Sequence, residues 1–295
     1  MGNYILSCES TVDLTKEHLE RRDIHYICYP YELDGKEYRD DLGATISFEE
    51  FYAAMSRGAM TKTAQINAYE FEEYFESFLK QGKDVLHLCL SSGITGVINS
   101  AEMARSALME KYPERKIFLV DSLAASSGSG LLMDRLADLR DSGMPLEELY
   151  QWVEDNKLRL HHWFFSTDLK YYVRGGRISK TAGMVGTMLG ICPLLNVSKE
   201  GRLIPREKIR SQKKVIEAIV SKMEMYAENG TRYTGKCYIS HSGCPDLAEQ
   251  VAKLVTEKFP DLAEPVGISS IGTTIGSHTG PGTVALFFWG SPREN

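Results

Sequence analysis

The feature that most limits the fold is a change in hydrophobic period along the chain. Over the first half, short apolar runs at residues 4–8, 24–31, 85–90 and 116–120 have the length and composition of strands. They alternate with stretches whose apolar positions recur at helical spacing. Ser47 and Glu50 make a capping-box pattern, with Phe48, Phe51, Tyr52 and Met55 following on one face. Asn67 and Glu70 repeat it before Phe71, Tyr74, Phe75 and Phe78. A further helix is expected after Gly96, and another runs through Leu131, Leu132, Leu136 and Leu139 to a stop at Gly143. Strands alternating with helices imply a mainly parallel sheet covered on both faces. Such sheets bind ligands outside the carboxyl ends of their strands.

The texture changes after Pro145. A helix using Leu146, Leu149, Tyr150 and Val153 leads to an expected domain boundary between residues 155 and 156. Beyond it come an apolar strand at 160–166, a short helix, the loop Arg174-Gly175-Gly176-Arg177, and a small Met-rich helical segment at 181–189. Strands at 191–197 and 202–204 are joined by a turn at Glu200-Gly201. A long helix follows, with Val215, Ile216, Ile219, Val220 and Met223 on one face. After it come a strand at 237–241, a helix at 247–259, and strands at 266–271 and 284–289. The expected fold class is α/β with two domains. Residues 1–155 form a mainly parallel α/β/α domain, and residues 156–295 a smaller α+β domain with helices on one face of its sheet.

Composition narrows the function. A chain of 295 residues, 43% hydrophobic, can bury a full core without disulfides or metal. Its net charge of -6 argues against nucleic acid and leaves any anionic ligand dependent on local donors. The first residues lack a basic secretory n-region, and no apolar run reaches the ~18 residues of a membrane span. Six cysteines (Cys8, Cys28, Cys89, Cys192, Cys237 and Cys244) have no paired spacing. They read as buried reduced thiols in a cytoplasmic protein. Cys237, His241 and Cys244 match no zinc spacing, so no metal and no cofactor are expected.

Four loops combine hydroxyl groups, glycine and charge. Glu9-Ser10-Thr11 follows the first strand, and Lys62-Thr63-Ala64-Gln65 precedes the Asn67 cap. Ser91-Ser92-Gly93-Ile94-Thr95-Gly96 lies between a strand and a helix, where backbone N–H groups can cradle an anion. It is not a Walker A loop, and the chain contains no Gly-x-Ser-x-Gly elbow. In Gly276-Ser277-His278-Thr279-Gly280-Pro281-Gly282, glycines fence one histidine into what reads as a fixed turn before a strand. Taken singly, each loop also reads as ordinary turn chemistry.

In order, these segments and Gly175-Gly176-Arg177-Ile178-Ser179 resemble the DegV family across essentially the whole chain. The chain departs from the family pattern at Glu9 (for Asp), Ala64 (for Ser), Ile66 (for Pro), Val97 and Ile98. The resemblance implies two α/β domains with a long-chain fatty acid between them. It implies that Thr63, Ser92 and His278, with Thr95 as helper, bind the carboxylate, and that the tail lies in the C-terminal domain. The candidate tail pocket is Phe164, Phe165, Met184, Val185, Met188, Leu189 and Leu194. The partner implied is a separate ATP-binding fatty acid kinase that makes an acyl phosphate.

Neutral donors suit this chemistry, because a bidentate arginine would hold both carboxylate oxygens and hinder their reaction. Basic residues Arg206, Lys208, Arg210, Lys213 and Lys214 read as the start of a helix that docks the kinase, with Arg210 first and Arg206 second. A monomer is expected, with transient membrane contact allowed. The competing reading is a serine-dependent acyl hydrolase or transferase using Ser92 and His278. A missing elbow and no evident acidic orienter for His278 weigh against it.

Overall fold

A computed structural model describes residues 4–179 and 191–294. The elements are, in chain order, β1 (Tyr4–Glu9), α1 (Lys16–Arg21), β2 (Ile24–Ile27), β3 (Pro30–Leu33), β4 (Lys36–Arg39), α2 (Phe48–Ser56), β5 (Thr61–Thr63), α3 (Ala68–Leu79), β6 (Asp84–Cys89), α4 (Val97–Lys111), β7 (Ile117–Asp121), α5 (Ser127–Asp141) and α6 (Leu146–Asn156). Then follow β8 (Leu160–Ser166), α7 (Lys170–Arg174), β9 (Ile191–Val197), β10 (Leu203–Arg210), α8 (Gln212–Tyr226), β11 (Tyr238–His241), α9 (Pro245–Lys258), β12 (Gly267–Ser270), α10 (Thr273–Thr279) and β13 (Thr283–Trp289).

The first sheet has the order β2-β1-β6-β7 and is parallel throughout. Helices α3 and α4 cover one face through Phe71, Phe75, Val97 and Leu108. Helices α5 and α6 cover the other through Leu131, Leu136, Leu149 and Val153. Both capping boxes form: Ser47 and Asn67 each accept from the backbone N–H three residues on, and Glu50 and Glu70 reach back. Such caps are worth about 1 kcal/mol each.

The second sheet has the order β10-β9-β8-β13-β11-β12 and is mixed, with only β11 and β12 parallel. Side-chain alternation divides β8 between two cores. Trp163 and Phe165 pack beneath α8 and α9 with Ile219 and Val251, whereas Leu160 and Phe164 face the side occupied by α5. The chain is therefore α/β, with a parallel-sheet N-terminal region and a mixed-sheet C-terminal region.

Three elements differ from expectation. Residues 24–31 are not one strand. They break after Ile27, and Pro30–Leu33 joins β4 and β5 in a small antiparallel sheet of order β4-β3-β5. The strand expected at 202–204 runs on to Arg210, so Arg206, Lys208 and Arg210 lie on an edge strand, and only Lys213 and Lys214 enter α8. The notion of a basic helical first turn is thereby overturned. His278 sits in the seven-residue helix α10 rather than in a turn.

Candidate functional site

The small sheet, β8, β13 and α10 meet around a cavity of about 560 Å³. This lies within the roughly 300–1,000 Å³ usual for small-molecule sites. Phe164, Val197, Leu203, Ala285 and Phe287 give it an apolar wall, and Leu90 and Ile94 add to it from the first sheet. The polar end carries Thr63, Thr95, His278, Tyr29, Arg174 and Arg177.

Thr63 is the last residue of β5, and pairing of β5 with β3 brings it to α10. There its Oγ1 lies 2.7 Å from Nε2 of His278. Thr61 Oγ1 donates to the Ser277 carbonyl, tying the same two elements together. Nδ1 of His278 is buried without a partner among the described residues. Gly175 makes room for it, since a Cβ there would meet Nδ1 at 2.3 Å. Burial, then the charges of Arg177 and Arg174, push the imidazole down to about 4. His278 is therefore neutral at pH 7 and has one proton to give. With that proton on Nε2, the Thr63 hydroxyl is free to donate to a ligand.

Arg177 supplies positive charge from the loop after α7. It donates to the Gly175 carbonyl, and burial lowers its pKa. Among the described residues no carboxylate pairs with it. Among the described residues the buried Tyr29 hydroxyl has no partner in hydrogen-bonding geometry, but Thr95 and Arg177 lie close enough to oppose the rise that burial gives its pKa. Arg174 stacks on Tyr171 at the outer edge. The ensemble is an apolar chamber with neutral donors and an unpaired cation at one end, suited to an anionic head on an apolar body.

Ser92 is not part of it. The side chain is exposed and outside the lining, with its backbone N–H donating to Asp121. The reason is the docking of the β9–β10 turn on this loop. Ser91 Oγ donates to the Gly201 carbonyl at 2.8 Å, and a Cβ on Gly93 would meet the Glu200 carbonyl at 2.4 Å. The loop is thus turned so that Thr95 and Ile94, not Ser92, face the cavity.

The chain matches the DegV family model, described as "Uncharacterised protein, DegV family", over residues 6–290. It belongs to the DegV family. A DegV domain-containing protein of Clostridium perfringens is 37% identical over 294 residues, covering 100% of both chains. The solved structure "Fatty Acid Binding of a DegV family Protein from Thermus thermophilus" is 28% identical with a TM-score of 0.86, covering 97% of this chain and 99% of that one. The Streptococcus pneumoniae Fatty Acid Kinase (Fak) B3 protein loaded with linoleic acid shares the fold at 20% identity and a TM-score of 0.83, covering 97% of this chain and 99% of that one.

Among the tail residues expected in this DegV chain, Phe164 lines the cavity. Phe165 and Leu194 do not. Both are buried in the core beneath α8 and α9: alternation turns Phe165 away from the cavity-lining Phe164, and Leu194 away from the face that carries the cavity-lining Val197. Met184, Val185, Met188 and Leu189 lie outside the described residues. Val97, the first residue of α4, and Ile66, two of the departures from the family pattern, are buried in the core shared by α3, α4 and the first sheet. Arg177 and Tyr29 were not foreseen as site residues. The motif Gly175-Gly176-Arg177 was the available signal for the first. Nothing local marked Tyr29, which lies inside the strand-like run at 24–31.

The six cysteines are free, four buried and Cys28 and Cys244 half-buried. No described helix is long and apolar enough to cross a membrane.

Proposed function

We propose that this DegV chain binds a long-chain fatty acid and presents its carboxylate to a separate ATP-dependent fatty acid kinase for acyl phosphate formation. The observation that carries this is the Thr63–His278 pair at the polar end of a cavity with an apolar wall. Burying a roughly 16-carbon tail yields about 11 kcal/mol at ~0.8 kcal/mol per methylene, before ordering costs. An unpaired buried carboxylate would cancel several kcal/mol of that. In this reading Thr63 and Thr95 donate to the head, His278 orients the Thr63 hydroxyl through its Nε2–H, and Arg177 balances the charge. The tail lies against Phe164 and Phe287 on the C-terminal side of a division at residues 155/156. The relative from Thermus thermophilus, named for fatty acid binding, supports the ligand. The pneumococcal protein of like fold, named for a fatty acid kinase, is the support for the partner.

The kinase contact is proposed for the edge strand β10. Arg210 is exposed there, whereas Arg206 Nε is engaged by Asn196 at 2.8 Å. Arg210 therefore remains the first candidate. The hydrolase reading loses support, because His278 bonds Thr63 instead of Ser92 and its other ring nitrogen meets no carboxylate among the described residues. Mass spectrometry of lipid extracted from purified protein tests the ligand. A C14–C18 fatty acid is the expected species, and a preparation free of lipid that also hydrolyses acyl esters would favour the enzyme instead.

A further inference from the structure

A second polar cluster lies away from the cavity, inside the first sheet. β1 and β6 are parallel and in register, with Ser7 beside His87. Alternation then turns Ser7, Glu9, His87 and Cys89 toward one face, under α3. Glu9, His87 and Cys89 are 1%, 0% and 0% exposed. Phe71 and Phe75 meet the imidazole edge-on, at 5.4 and 5.1 Å between ring centroids.

Two of these groups are each held by one atom. The Leu90 N–H donates to Glu9 Oε2 at 2.7 Å. Ser7 Oγ bonds His87 Nδ1 at 2.8 Å and is itself bonded by the Tyr74 hydroxyl at 2.8 Å. The atoms left over are Glu9 Oε1 and His87 Nε2. Both are buried and without a partner among the described residues, and they face each other across 3.8 Å. That is too long for a hydrogen bond. Cys89 completes the group: one ligand atom from each of Glu9, His87 and Cys89 lies within 4.8 Å of the other two.

We propose that Glu9 Oε1, His87 Nε2 and Cys89 Sγ form a buried three-ligand site for a divalent transition-metal ion, zinc by ligand class. Sulfur, imidazole nitrogen and carboxylate oxygen together suit zinc better than the hard cations. A carboxylate and a thiolate balance the two positive charges, with the imidazole neutral, so a cluster of zero net charge is buried. Zinc holds such ligands at about 2.0–2.3 Å, which requires the triangle to contract by up to roughly 1 Å. The bonds from Ser7 and Leu90 are of the kind that orient metal ligands from behind. The ion pins β1 to β6 directly below the loop whose Leu90, Ile94 and Thr95 line the cavity. Cys237, His241 and Cys244 match no zinc spacing along the sequence. The real juxtaposition is of two short patterns, Ser7-x-Glu9 and His87-x-Cys89, on neighbouring strands.

Untagged protein incubated with zinc, desalted, and analysed by plasma mass spectrometry tests the site. The expected result is one zinc per chain, with cobalt(II) in its place giving a thiolate-to-cobalt absorption band in the near ultraviolet. Cys89→Ala, checked for folding by circular dichroism, should lose the band and the retained zinc. Ser7→Ala, which keeps all three ligands, should weaken binding on the order of 10- to 100-fold. Wild-type protein that retains no zinc overturns the proposal whatever the variants do. So does a Glu9→Gln or Cys89→Ala protein that retains as much zinc as the wild type.

Discussion

A neutral His278 hydrogen-bonded to Thr63 is the working unit of the proposed head-group site. Replacing a donor of this kind costs about 1–3 kcal/mol of binding free energy. Thr63→Ala and His278→Ala should each weaken fatty acid binding by that amount, read by titration of delipidated protein. The double variant should lose less than the sum, because the two residues share one bond. Ser92→Ala should bind as the parent does, since Ser92 lies outside the cavity lining. An equal loss in Ser92→Ala would mean that the 91–96 loop turns over when ligand binds. Gly175→Ala tests the same unit from behind: a Cβ 2.3 Å from Nδ1 must displace the imidazole. The expected outcome is weaker binding with a cavity wall unchanged in composition.

At the scale of elements, the β9–β10 hairpin sets which face of the 91–96 loop the ligand meets. Its Gly201 has φ +71°, and a Cβ there would lie 1.9 Å from Ser91 Oγ. Gly201→Ala should destabilise the fold by about 1–3 kcal/mol, seen as a lower urea midpoint. Arg210→Ala, on the exposed edge of the same hairpin, should leave fatty acid binding intact. It should slow kinase-dependent acyl phosphate formation, more so at low salt. A variant fully active at subsaturating concentration would remove Arg210 from the contact. The sequence made this turn legible through Glu200-Gly201, and the helices through their caps and periods. It did not show the length of β10, because Arg206, Glu207, Lys208 and Arg210 on an edge strand give no apolar alternation. Nor did it show α10. Threonine, glycine and serine carry no helical period, and the first N–H groups of α10 are satisfied from far away. Asp13 accepts from Gly272 and Asp40 from Thr274.

Those two carboxylates also govern the behaviour of the whole molecule with pH. Burial holds both Asp13 and Asp40 above the usual carboxylate range. Between the unfolded carboxyl value near 3.8 and the raised folded one, the folded state holds more protons, so this term weakens the fold as pH rises. Three imidazoles act in the opposite sense. His161 and His278 are pushed down to about 4 by burial, and burial also holds His162 well below the ordinary imidazole value. Between about 4 and the ordinary 6.5 the unfolded chain binds more protons, so this term weakens the fold as pH falls. Asp13→Asn can keep both hydrogen bonds, to Gly272 and Ser126, while removing the buried acid. It should raise stability at about pH 7.5 and steepen the loss on acidification to about pH 5, since one opposing term is gone. Denaturant titrations at the two pH values check this, and a variant with the parent's slope would show that Asp13 stays ionised in the fold. The central claim concerns the cavity between the two sheets. Calorimetric titration of delipidated wild-type protein with C14–C18 fatty acids tests it most directly. The account predicts saturable binding of one acid per chain, weakened in His278→Ala. No saturable binding of any of these acids would contradict it.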